Sequence, residues 1–152
     1  LPEKYILTYF IGIDEYIQKA LDEIERMFPN HTIMNLIFDQ SPYGPADFLK
    51  MVAHAEFVVT NSFHGCAFCL NMHIQFWVIK TLKDMSKNNG FGRIECMLEE
   101  MGVKNRILEN VSGLLERHDA INFQDVDERR SELTSKAKEF LLNAVKTVCN
   151  QR

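Results

Sequence analysis

The stretch from Glu56 to Asn71 constrains the fold more than any other. It opens with Phe57-Val58-Val59, a short apolar run with the β-branched bias of a buried strand. It closes with Phe63, Ala67 and Leu70 at helical spacing. Between them stands Thr60-Asn61-Ser62-Phe63-His64-Gly65. Ser62 is a good N-cap, because its hydroxyl can accept from the open amides of the next turn. His64 is then expected in the first turn of a helix, at the carboxyl end of a strand, where open α/β sheets take their ligands. Helix-start amides favour an anion at that place, and Gly65 is expected to let a ligand approach the backbone. Ser62 would need an adjacent base to act as a nucleophile, so its expected role is to orient the turn.

The flanking chain repeats the same alternation. Tyr5 to Phe10 reads as a strand, and Asp14 caps a helix that carries Ile17, Ala20, Leu21, Ile24 and Met27 on one face. Thr32 to Phe38 is the second strand, and Pro45 opens a helix bearing Phe48, Leu49, Met51, Val52 and Ala55. Ile74 to Ile79 is the fourth strand. A polar, locally basic loop follows, with Lys80, Lys83 and Lys87 against Asp84. A helix from about Phe91 to Met101 stops at Gly102, and Arg106-Ile107-Leu108 reads as a short edge strand. A last helix starts at Asp125 or Asp127 and is expected to bury Leu133, Ala137, Phe140, Leu141, Ala144 and Val148. Alternating β and α predict an α/β domain, Rossmann-like and doubly wound, with a mostly parallel sheet covered on both faces.

Length and charge narrow the function. The 152 residues suit one domain with a real core, and the net charge of -4 argues against a general nucleic-acid surface. No apolar run is long enough to span a bilayer. The chain starts at Leu1 rather than Met, so an upstream segment is left open. Of Cys66, Cys69, Cys96 and Cys149, the first two form a C-x2-C inside the central helix. No second ligand pair accompanies them, and they read as small packed residues in a reducing compartment. No run has the His or carboxylate spacing of a Zn²⁺ or Mg²⁺ cage. His31, His54, His73 and His118 read as surface or packing residues.

Phe48-Leu-Lys-Met-Val-Ala-His-Ala-Glu-Phe-Val-Val-Thr-Asn-Ser-Phe-His-Gly65 resembles the central block of the polysaccharide pyruvyl transferases. Arg93-Ile-Glu-Cys-Met-Leu-Glu-Glu-Met-Gly-Val-Lys-Asn-Arg106 is similar to a second block, and Ser135-Lys-Ala-Lys-Glu-Phe-Leu-Leu142 to the terminal helix of that family. Two positions depart. Phe91-Gly92 stand where the family often has Asn-Ser before the arginine, which leaves that contact to Asn89 or Arg93. Gln75-Phe76 replace a common Pro-Phe.

The resemblance implies a GT-B-like enzyme, two Rossmann-like halves facing across a cleft. Residues 1–152 would be the C-terminal half, expected to fold without turning over when its N-terminal half is absent. It implies phosphoenolpyruvate as donor substrate, with no cofactor. The acceptor would be a sugar of a polysaccharide or its lipid-linked precursor, and the product a cyclic pyruvate ketal. It implies a cytoplasmic location, at the inner membrane face through a lipid-linked acceptor. His64 is the candidate phosphate ligand and proton donor. An imidazole suits proton transfer near neutral pH, where such a group contributes about 10²–10⁴-fold. Asn61, Ser62, Phe63, Gly65, Asn89 and Arg93 are the candidate substrate-binding residues, and Arg106 is a further basic position. Two rivals are a nucleotide-sugar glycosyltransferase of the same fold and a non-catalytic anion- or glycan-binding domain.

Overall fold

A computed structural model describes residues 1–37, 42–81, 90–108, 110–113 and 119–149. Its strands are β1 (Tyr5–Phe10), β2 (Thr32–Ile37), β3 (Phe57–Thr60), β4 (Phe76–Ile79) and β5 (Ile107–Leu108). They form one sheet in the order β2-β1-β3-β4-β5, and every pairing is parallel. The helices are α1 (Glu15–Met27), α2 (Pro45–His54), α3 (Phe63–Met72), α4 (Gly92–Glu100) and α5 (Phe123–Cys149).

Alternation along the strands builds two separate cores. Ile6, Phe10, Val59, Trp77 and Ile79 face one side, where α1 adds Ile17, Ala20, Leu21 and Ile24. Tyr5, Leu7, Tyr9, Val58, Phe76 and Val78 face the other, where α2, α3 and α4 add Val52, Cys66, Cys69, Ile94 and Leu98. This is the doubly wound α/β arrangement that the alternating pattern predicts. The expected caps are in place: Asp14 Oδ1 accepts from the Ile17 amide at 2.8 Å, and Ser62 Oγ from the Gly65 amide at 3.3 Å.

Three element starts move. β5 begins at Ile107 rather than Arg106, because Arg106 still belongs to a tight turn, Lys104–Arg106, with its amide on the Val103 carbonyl at 2.9 Å. β4 begins at Phe76 rather than Ile74, because α3 is still closing there. His73 takes φ 57°, and the Ile74 amide returns to the Cys69 carbonyl at 2.9 Å. α5 begins at Phe123, ahead of both aspartates, because Asn122 Oδ1 accepts from the Gln124 amide at 3.2 Å.

The expected burial of the α5 stripe is overturned. Ile121, just before the helix, and Val126 in its first turn are buried, and Leu133 is intermediate. Ala137, Phe140, Leu141 and Ala144 are exposed, Phe140 at 73%. The start of α5 is fastened to the end of α3. Arg130 reaches Asp127 at 2.7 Å and Asn71 at 2.6 Å, and the His73 ring stacks on Phe123. Beyond that clamp the apolar face of the helix is covered by none of the described residues. The side chain of Val148 lies outside the described residues, as do Lys83, Asp84, Lys87, Asn89 and His118. Among the described residues no helix is long and apolar enough to cross a membrane.

Candidate functional site

β1 and β3 lie side by side although β2 falls between them in sequence. Strand order therefore reverses between them, and such a switch point opens a crevice at the carboxyl ends of the strands. The six residues Thr60 to Gly65 leave β3 at that crevice and enter α3.

Most of these side chains are committed to holding the turn. Thr60 Oγ1 donates to the Tyr9 carbonyl and accepts from the Ser62 amide at 3.0 Å. Asn61 Oδ1 accepts from the Ile11 amide at 2.7 Å, and its Nδ2 donates to the Ile11 carbonyl at 3.4 Å. That pair of bonds ties the loop after β1 to the turn after β3. Ser62 is fully buried and caps α3. Gly65 is buried as well: a Cβ there would lie 2.7 Å from Thr60 Oγ1 and 3.2 Å from Tyr9 Cδ1. The close approach expected of a ligand at Gly65 is thus made by Thr60 and Tyr9, and glycine is needed for helix-on-strand packing.

Phe63 and His64 are what the turn offers to solvent. Phe63 is partly buried and His64 is exposed, with their ring centroids 6.0 Å apart, edge to face. The helix itself supplies no partner for the amides of Phe63 and His64. The Arg93 guanidinium, from the first turn of α4, lies 5.6 Å from the centre of the Phe63 ring. Arg93 is exposed, and among the described residues it forms no ion pair with Glu95, Glu99 or Glu100. Instead Glu95 meets Lys80 at 2.7 Å, and Glu99 meets Lys104 at 2.9 Å. The Arg93 guanidinium and the His64 imidazole thus both lie beside Phe63 at the start of α3, where a helix leaves its first amides without partners of its own. Asn89 lies outside the described residues.

His64 also lines a cavity of about 290 Å³, together with Tyr9, Leu36, Tyr43, Phe48 and Phe68 among others. Tyr9 and Phe48 are 4.5 Å apart between ring centres, and Phe48 and Phe68 5.9 Å. Burial raises the Tyr9 phenol above its usual range, and a hydrogen bond with Ser62 partly offsets this. Nothing in the sequence singles out this aromatic wall. Phe48 reads as an ordinary helix-core position, Phe68 lies off the Phe63-Ala67-Leu70 spacing, and only Tyr9, one residue before the end of β1, carries a positional hint.

Arg106 belongs elsewhere. It is 3% exposed, lies 4.4 Å from the centre of the Trp77 ring and donates to the Asp119 carbonyl at 2.7 Å. It ties Trp77 of β4 to the segment at Asp119. Cys66 and Cys69 point into the core rather than the site: both are buried and free, and burial pushes the Cys66 thiol up to about 12 and Cys69 higher still. Among the described residues no three His, Cys, Asp or Glu side chains could together hold a metal ion.

Compared with known proteins, residues 2–82 match the family described as polysaccharide pyruvyl transferase. The match covers β1 through β4 and therefore the whole β3–α3 turn. No curated protein and no solved structure matches the chain.

Proposed function

The chain belongs to the polysaccharide pyruvyl transferase family, and from that premise we propose that it moves a pyruvyl group from phosphoenolpyruvate to a sugar. The acceptor is a polysaccharide unit or its lipid-linked precursor. The chain serves as the C-terminal half of a GT-B-like enzyme, whose preceding half completes the cleft on the cytoplasmic side of the membrane. One observation carries this reading: His64 is exposed in the first turn of α3, at the β1–β3 switch point, with Arg93 against the neighbouring Phe63 ring.

The donor carries a phosphate and a carboxylate. Helix-start amides and a guanidinium suit those groups, the latter through paired hydrogen bonds. His64 gives a proton to the enol methylene, which becomes a methyl group. The bond from the central carbon to the phosphate oxygen breaks, and two bonds from that carbon to sugar oxygens form. One of the two hydroxyl protons restores His64, and the other leaves with phosphate. Ser62, buried as the helix cap, and Asn61, bound to Ile11, act by fixing the turn that presents Phe63 and His64.

A glycosyltransferase of the same fold would place a sugar diphosphate on the same amides. Calorimetric titration of the chain with phosphoenolpyruvate and with several nucleotide sugars separates the two. Binding of phosphoenolpyruvate alone is expected. Preference for a nucleotide sugar would replace this reading with the other.

A further inference from the structure

His64 borders two unlike environments, and the second has no use yet. Arg93 stands beside Phe63 at the start of α3. His64 also lines the cavity of about 290 Å³. The rest of its described lining holds no Lys or Arg; it is Tyr9, Leu36, Gly44, Pro45, Phe48 and Phe68, with Tyr43 half exposed. A phosphate-bearing acid has no reason to enter such a space, because an apolar wall strips its water and returns no opposite charge. Aromatic rings left partly open inside a concave site call for a ligand with an apolar face.

We infer that this cavity is the acceptor subsite. A pyranose ring lies in the corner made by the Phe48 and Phe68 rings, whose planes stand 73° apart, with its C–H face on one of them and its hydroxyl edge toward His64. This rests on reading the start of α3 as the donor site. A sugar meets the chemical demand on both counts. One face of the ring is made of C–H bonds, and its rim is made of hydroxyls that need to reach the carbon His64 protonates. The neutral ring and the acid then both reach one imidazole. The Tyr9–Phe48–Phe68 wall is held in place by Phe48 on α2, by Phe68 on α3 and by the Thr60 and Ser62 contacts around Tyr9. It is therefore a formed surface before any sugar arrives.

The test is NMR of the isotope-labelled chain with methyl hexopyranosides and, separately, with phosphoenolpyruvate. The glycosides are expected to shift the ring signals of Tyr43, Phe48 and Phe68 and to show contacts from sugar C–H protons to those rings. Phosphoenolpyruvate is expected to shift the amides of Phe63 and His64, and each ligand to bind in the presence of the other. Tyr43→Ala, at an exposed position, should weaken glycoside binding by roughly threefold to tenfold, the size of one aromatic contact, and leave phosphoenolpyruvate binding unchanged. Phe48→Ala should weaken it further if its spectrum shows a folded chain. Displacement of glycoside by phosphoenolpyruvate from the Phe48 and Phe68 rings would overturn the assignment. So would binding of octyl glucoside with methyl glucoside silent, since the cavity would then take an alkyl chain. Failure of the donor reading has its own mark: silent Phe63 and His64 amides beside intact glycoside contacts, which leaves the sugar pocket standing.

Discussion

The turn from β3 into α3 and the far half of α5 both place in solvent a residue that catches the eye, and for opposite reasons. At the turn, Thr60, Asn61, Ser62 and Gly65 are each engaged with β1 or with the loop after it, so the exposure of His64 is built by its neighbours. On α5, Phe140, Leu141, Leu142 and Val145 are exposed because nothing described lies against them. The first is a presented group on a rigid frame, and the second is an apolar face without a cover. Exposure acquires functional weight from the framework that enforces it. By that measure His64 ranks above a helix stripe several times its area.

This contrast can be broken experimentally, and the largest effect is expected at Gly65. Gly65→Ala forces a methyl group against Thr60 and Tyr9 and should cost about 1–3 kcal/mol in urea unfolding, with α3 displaced at its first turn. A neutral result would mean that the turn is loose and that His64 is not held. Asn61→Ala comes next. It removes both side-chain bonds to Ile11 and should cost about 1–2 kcal/mol, with amide exchange accelerating at Ile11 rather than throughout the sheet. Uniform acceleration would contradict a local tether.

A smaller effect concerns the thiols of α3. At pH 8, Cys96 should react with iodoacetamide quickly while Cys66 and Cys69 stay protected until the chain unfolds. Because burial raises their folded values, the stability they contribute is complete below the unfolded thiol value of about 8.5 and is lost as pH rises toward the folded one. Early labelling of Cys66 would show that α3 is not packed as described. The least effect is expected from Phe140→Ser, within about 0.5 kcal/mol of the parent, because Phe140 is 73% exposed. A loss of several times that size would put the α5 stripe back into a core.

The sheet was legible because each strand and helix carries its own period. The stripe Ile17, Ala20, Leu21 and Ile24 on α1 is buried as its spacing predicts. The stripe on α5 has the same spacing and is exposed. Periodicity records that a helix has an apolar side, and only topology decides whether anything meets it. The site divides in the same way. His64 could be placed from Thr60 to Gly65 alone, since strand, cap and first turn are local. The use of Asn61 on Ile11 and the packing of Gly65 on Tyr9 depend on β1 lying beside β3, a contact between residues about fifty positions apart. The aromatic cavity was illegible for that reason, because it draws Tyr9, Phe48 and Phe68 from three separate elements.

The central claim is that the acidic donor meets His64 at the start of α3. Titrating phosphoenolpyruvate into the chain and into His64→Ala, with the Phe63 amide as reporter, tests it most directly. The account predicts binding weakened by roughly tenfold or more, the loss of one charge-assisted hydrogen bond, with the Phe48 and Phe68 signals unmoved. Equal affinity in the two proteins, with the same shifts at Phe63, would contradict it.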